Sequence, residues 1–204
     1  MKRLLCLLIA CLLILPACAA DPEPALDEML GVLENEVYTS AFGYSIDLTD
    51  LHTNTREQLY TLTHPGEEFS SEVLMEEMRQ GKATAILSAS NNQGFNSLIL
   101  SLIPVSEMPR TIRDAGDYAE YGLTVIPDTY AEYGYTDIRT ELTSVTLAGV
   151  EHPAVHCSCL GYDGSPYYLL QVFFHRGDWM SSMSITSLES EDVLWEFWNR
   201  VFAS

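Results

Sequence analysis

Basic residues are scarce in this chain. Ten lysines and arginines stand against twenty-nine aspartates and glutamates, a formal net charge of −19. Two of the ten, Lys2 and Arg3, lie at the extreme N-terminus, and every other one except Lys82 is arginine. This scarcity argues against nucleic acid as a partner, because phosphate binding needs a basic surface. The same charge repels anionic lipid headgroups and wall polymers. The acids are dispersed along the chain and not gathered into a tail, so their default role is to solvate the surface.

Cysteine is also sparse. Of five, Cys6, Cys11 and Cys18 fall in the first eighteen residues, leaving Cys157 and Cys159. Two cysteines make no disulfide framework. On a strand they share a face with Cα atoms about 6.6 Å apart, near the upper end of disulfide reach. The expectation is two small buried thiols. With His152 and His156 they form the one metal-like cluster in the sequence. On a strand, however, the two histidines stand roughly 13 Å apart and His156 points away from the cysteine face, so no metal site is expected. The chain has no G-x-S-x-G elbow, S-x-x-K, H-E-x-x-H or phosphate-cradling glycine motif. Neither a catalytic residue set nor a cofactor is expected. Acids are numerous enough that a carboxylate pair meeting in space keeps a hydrolase as an alternative. Arg176-Gly177-Asp178 reads as a turn between strands, with integrin-type recognition as the rival.

Long apolar runs are absent as well. Leu4 to Leu15 falls short of the ~20 residues that a membrane-spanning helix needs. Flanked by Lys2 and Arg3 before and Leu15-Pro16-Ala17-Cys18 after, it reads as a bacterial lipoprotein signal over residues 1–17. Cys18 then carries the lipid and anchors the chain to a membrane, facing outside the cytoplasm. Ordinary cleavage at Ala17-Cys18-Ala19 is the rival. Without residues 1–17, eight basic residues oppose twenty-nine acids, a net charge of −21. Residues 18–34 read as a tether with a possible short helix over 25–34 (Leu26, Met29, Leu30, Leu33), and 35–204 as a single domain.

Short strands are expected at 37–39 and 43–48, whereas 55–63 is ambiguous. A helix over 70–80 is capped by Ser70 or Ser71 and stopped by Gly81. Strands at 83–90 and 95–103 flank an Asn91-Asn92-Gln93-Gly94 turn. Leu98, Leu100 and Leu102 should face a core. Residues 112–126 have helical spacing, with Tyr118, Tyr121 and Val125 on one stripe and Pro127 as the end. Strand-like runs at 138–147, 150–162, 166–175 and 179–186 read as an antiparallel meander. A closing helix starts at Ser190, and its stripe of Leu194, Phe197, Trp198, Val201 and Phe202 should lie on the sheet. One antiparallel sheet with helices packed on it is the economical architecture.

This layout resembles the PsbP-like family over about residues 35–203. Tyr38 followed by Phe42-Gly43-Tyr44-Ser45-Ile46 is similar to its opening hairpin. Val145-Thr146-Leu147-Ala148-Gly149-Val150 and Pro153-Ala154 resemble a strand turn of that family, and the 113–126 helix and the closing aromatic helix also match. The resemblance implies an α+β fold, an α/β/α sandwich with a central antiparallel sheet. It further implies docking and accessory roles in exported or organellar proteins, with no catalytic set to carry over.

The expected function is therefore a non-catalytic envelope lipoprotein that binds another, unidentified envelope protein. A carrier of a small or apolar ligand is the alternative. Tyr118, Tyr121, Tyr130, Tyr133 and Tyr135 crowd one segment, where they read first as core and rim packing of an amphipathic helix; in the carrier reading Tyr118, Tyr121, Tyr130 and Tyr133 are the ligand-binding residues. Aromatic platforms bind sugars, peptides and apolar groups by stacking.

Overall fold

Alternating apolar positions build most of this protein. The structure, a computed structural model, describes residues 26–80, 84–91, 93–94 and 96–204. The signal, the first part of the tether and Cys18 lie outside the described residues, as do the expected helix stop Gly81 and strand start Phe95.

The fold is α+β with antiparallel sheets. Seven strands form the larger sheet: β4 (His52–Thr55), β5 (Thr84–Ser90), β6 (Asn96–Pro104), β10 (Trp179–Ser187), β9 (Pro166–Arg176), β8 (Val150–Leu160) and β7 (Thr136–Leu147), side by side in that order. The expected meander is present as β7 to β10, and the expected hairpin as β5 and β6. Pairing of β6 with β10 joins the two into one sheet.

A second sheet holds β1 (Val32–Glu34), β2 (Val37–Thr39), β3 (Tyr44–Asp47) and β11 (Val201–Ala203). Two expectations are corrected here. The helix expected over 25–34 is confined to α1 (Leu26–Met29), and Val32–Glu34 is a strand paired with β2. The break is Gly31, whose φ of +65° takes the chain out of helical geometry. The closing helix α5 (Glu191–Trp198) stops before Val201 and Phe202, which pair with β3 as strand β11. Phe202 is exposed and Trp198 only half-buried, whereas Leu194, Phe197 and Val201 are buried. The Arg200 guanidinium donates to the carbonyls of Thr49 and Asp47 and ties this end to the second sheet.

The ambiguous stretch forms α2 (Arg56–Thr63), started by a capping box between Thr55 and Gln58. Helix α3 (Ser71–Arg79) begins where Ser70 accepts from the Val73 amide. Helix α4 (Ala115–Glu132) starts at Asp114, whose carboxylate accepts from the Asp117 amide at 2.9 Å. It runs through Pro127, the expected end. Proline removes one helical hydrogen bond, but Ile126 and Tyr130, on either side of it, pack into the core and hold the axis. The buried stripe is Ala119, Gly122 and Ile126, not Tyr121 and Val125, which are exposed.

The two faces of β9 show where the cores sit. Leu170, Val172 and Phe174 join the main core, with Leu98, Leu100 and Leu102 as expected, Leu74 and Met78 of α3, Leu194 and Phe197 of α5, and Tyr38, Tyr44 and Ile46 of the second sheet. Leu169 and Phe173 point the other way, under α4. Burying each large side chain fully contributes about 1.5–3 kcal/mol. No helix among the described residues is long and apolar enough to cross a membrane.

Candidate functional site

The end of α4 sets the geometry of the site. Tyr133 is the last half-helical residue, and Gly134 follows with φ of +85°. The Gly134 amide donates to the Ala131 carbonyl and the Tyr135 amide to the Tyr130 carbonyl, both at 3.0 Å. This paired bonding is a Schellman motif, in which the residue after the glycine folds back on the last helical turn. Here the contact is aromatic: the Tyr135 and Tyr130 rings meet edge to face, 5.1 Å between centroids.

Strand β9 completes the cluster. Tyr167 lies 5.3 Å from Tyr130 and 5.2 Å from Tyr135, and the Tyr130 and Tyr167 hydroxyls share a 2.9 Å hydrogen bond. Burial raises all three phenols above their ordinary range, that of Tyr167 to about 12, so each keeps its proton at neutral pH. Below them, Cys157 and Cys159 are buried and free. Burial pushes the Cys157 thiol up to about 12 and raises Cys159 as well, which leaves both as thiols and poor nucleophiles.

Tyr130, Tyr135 and Tyr167 form one wall of a cleft of about 880 Å³ between the end of α4 and the β8–β9 hairpin. Two further tyrosines line it and stand in solvent: Tyr133 is 74% exposed and Tyr162 94%. Asp163 in the hairpin turn accepts from the Ser165 amide at 2.9 Å, and hydrogen bonding from Ser165 holds its carboxyl below the usual range. From beyond β10, Leu188 and Glu189 reach the same cleft. A Glu189 carboxylate oxygen accepts from Asn96 Nδ2 at 3.0 Å.

The structure thus brings together two of the expected binding residues, Tyr130 and Tyr133, with Tyr135. It separates the other two from them. Tyr118 packs on Phe173 at 4.7 Å and belongs to the core beneath α4, and Tyr121 is exposed on the helix outside the cleft lining. Tyr162 and Tyr167 were not expected. Their signal is the Asp163-Gly164 hairpin, which places residues flanking the turn beside the end of α4 once β8 and β9 pair.

The histidines do not gather. His152 packs on Phe174 at 4.8 Å, and burial holds its imidazole below the ordinary value. His156 sits between Glu141 at 3.5 Å and Glu191 at 3.6 Å. Cys157 faces α4 instead, and Cys159, two residues on along β8, shares its face of the strand. Among the described residues, no group of three or more His, Cys, Asp or Glu side chains is arranged to hold a metal ion. Arg176-Gly177-Asp178 connects β9 and β10 as a tight turn, with the Arg176 guanidinium donating to the Ala41 carbonyl.

No protein-family model matches this chain, and no curated protein matches it. Among solved structures, it is similar to the solution structure of cyanobacterial PsbP (CyanoP) from Synechocystis sp. PCC 6803. The two share 10% sequence identity at a TM-score of 0.49, over 85% of this chain and 95% of that one. A PsbP-like likeness is therefore found, and at this level it concerns chain path alone.

Proposed function

We propose that this protein is a non-catalytic binding module of a bacterial envelope. A lipid on Cys18 tethers it, and it docks on another envelope protein through the tyrosine cleft. We read its layers as an α/β/α sandwich, with α4 on one side of the larger sheet and α3 and α5 on the other. One observation supports docking above the rest: Tyr133 and Tyr162 project into solvent beside a wall of three tyrosines packed on one another. Tyrosine is enriched where proteins meet, because it buries a large apolar ring at low entropic cost and keeps a polar tip. The packed wall is already rigid, which lowers the cost of binding.

The test is a benzophenone amino acid placed at Tyr162 in living cells, with Leu62 of α2, 69% exposed, as the control position. A discrete protein adduct from position 162 and none from position 62 is the expected result. Absence of an adduct, or equal adducts at both positions, overturns docking. The alternative, a carrier of a small or apolar ligand, draws on the same cleft, whose volume lies within the range of small-molecule sites. A copurifying small molecule seen by native mass spectrometry, and lost with Tyr133→Ala/Tyr162→Ala, would favour it. The tether has its own test. Cys18→Ala should move the protein from the membrane to the soluble fraction, and a mutant that stays with the membrane removes lipidation.

A further inference from the structure

The chemistry of the cleft lining narrows what can fill it, given the docking role proposed above. Among the described residues, its lining holds no lysine, arginine or histidine. Its charged groups are Asp163 and Glu189, both acceptors. Asp163 accepts from the backbone and side chain of Ser165 and from its own backbone, and Glu189 accepts from Asn96 Nδ2. A carboxylate offers about four lone-pair sites, so both retain capacity for a ligand. The ring faces beside them carry the negative side of an aromatic quadrupole. A partner group suited to this lining must be flat enough to stack on tyrosine, rich in donors and positively charged.

Guanidinium meets all three conditions. It is planar, always protonated, carries five donors and no acceptor, and stacks on aromatic faces. Sugar hydroxyls accept as readily as they donate, and the side-chain donors offered here are limited to hydroxyls such as those of Ser165 and the tyrosines. The net charge of −19 acts in the same direction at longer range, drawing cationic segments toward the surface. A single side chain fills little of about 880 Å³. The remaining length, with Tyr133, Tyr162 and Leu188 exposed along it, suits the residues flanking an arginine in an extended chain.

We propose that the occupant of this cleft is an extended, arginine-bearing segment of a partner protein, its guanidinium stacked on the tyrosines and donating to Asp163 or Glu189. The test uses the full chain and fluorescence anisotropy with a fluorescein-labelled Gly-Arg-Gly-Arg-Gly peptide. Its twin carries citrulline, the neutral isostere of arginine. The citrulline peptide should bind about tenfold more weakly, the loss of one charge-assisted contact. Asp163→Asn/Glu189→Gln should cost a similar factor of about ten. Both amides keep an oxygen that accepts the existing hydrogen bonds, so the melting temperature should hold. Tyr133→Ala/Tyr162→Ala should lose binding with the fold retained, since both rings are exposed.

Equal affinity for the two peptides overturns the proposal, and so does indifference to the carboxylate substitutions. Displacement of the arginine peptide by an N-acetylglucosamine hexamer gives the cleft to sugars and overturns it too. The cell crosslink separates this failure from that of docking. If the adduct at position 162 forms equally in Asp163→Asn/Glu189→Gln, docking stands and the arginine chemistry falls. If neither adduct nor peptide binding is seen, both fall.

Discussion

Phe174→Ala should lower stability by about 3–5 kcal/mol, the cost of a large aromatic removed from a packed core, which is roughly 10 °C in melting temperature for a domain of this size. Phe174 lies on β9, 2% exposed, on the face turned toward the second sheet. Its ring centroid is 4.4 Å from that of Tyr44 on β3 and 4.8 Å from that of His152 on β8. The ring therefore joins the two sheets at their contact. Tyr44 is itself buried in the packed core, so its ring has little freedom to move and refill the space. The cavity remains largely open, and the penalty approaches the upper part of the range. Phe174→Leu keeps more volume and should cost clearly less. Thermal unfolding followed by circular dichroism measures both. A shift below about 3 °C for the alanine variant, under 1–2 kcal/mol, would show that the sheets do not depend on this ring.

Patterns that depend on nearest neighbours were legible in the sequence. The β7–β10 meander follows from alternating apolar positions and the turn residues between them, and Ser70 and Ser190 cap helices because each has free amides three residues on. Patterns decided at a distance were not. Val201 and Phe202 fit a helical stripe as well as a strand, and only pairing with Tyr44–Ile46 decides between them. Pro127 is a sound local stop, yet packing of Ile126 and Tyr130 carries α4 past it to the true stop at Gly134. Closeness in sequence also groups Tyr118 and Tyr121 with Tyr130 and Tyr133. The continuous helix instead sends Tyr118 to Phe173 and leaves Tyr121 outside. Tyr162 and Tyr167 join the site through the β8–β9 register, in which Tyr167 stands opposite Cys159. No periodicity within either strand reports that position.

The second large effect belongs to a residue with no side chain. Gly31→Ala should destabilise by about 3 kcal/mol, from two sources that add. The first is backbone geometry. At φ of +65° an L-residue costs roughly 1–2 kcal/mol. The second is space. A Cβ there would lie 2.5 Å from the Tyr38 hydroxyl and 2.6 Å from the Thr39 carbonyl oxygen. Neither can yield cheaply. Thr39 lies in a strand paired with Val32 on one side and Ser45 on the other, so the backbone that carries its carbonyl is held in place. Tyr38 is 3% exposed, and its hydroxyl donates to the Leu30 carbonyl at 3.0 Å. Moving that ring breaks a buried hydrogen bond, which costs about 1–3 kcal/mol. Gly149→Ala is the control. Its φ is +81°, but no atom lies within 4 Å of the added carbon, so it carries the backbone cost alone. Urea unfolding of the two variants separates the terms: the midpoint should fall about twice as far for Gly31→Ala as for Gly149→Ala. Equal losses would mean that β2 shifts to admit the methyl group. In that event the bond from Tyr38 to Leu30 does not fix how α1 enters the second sheet.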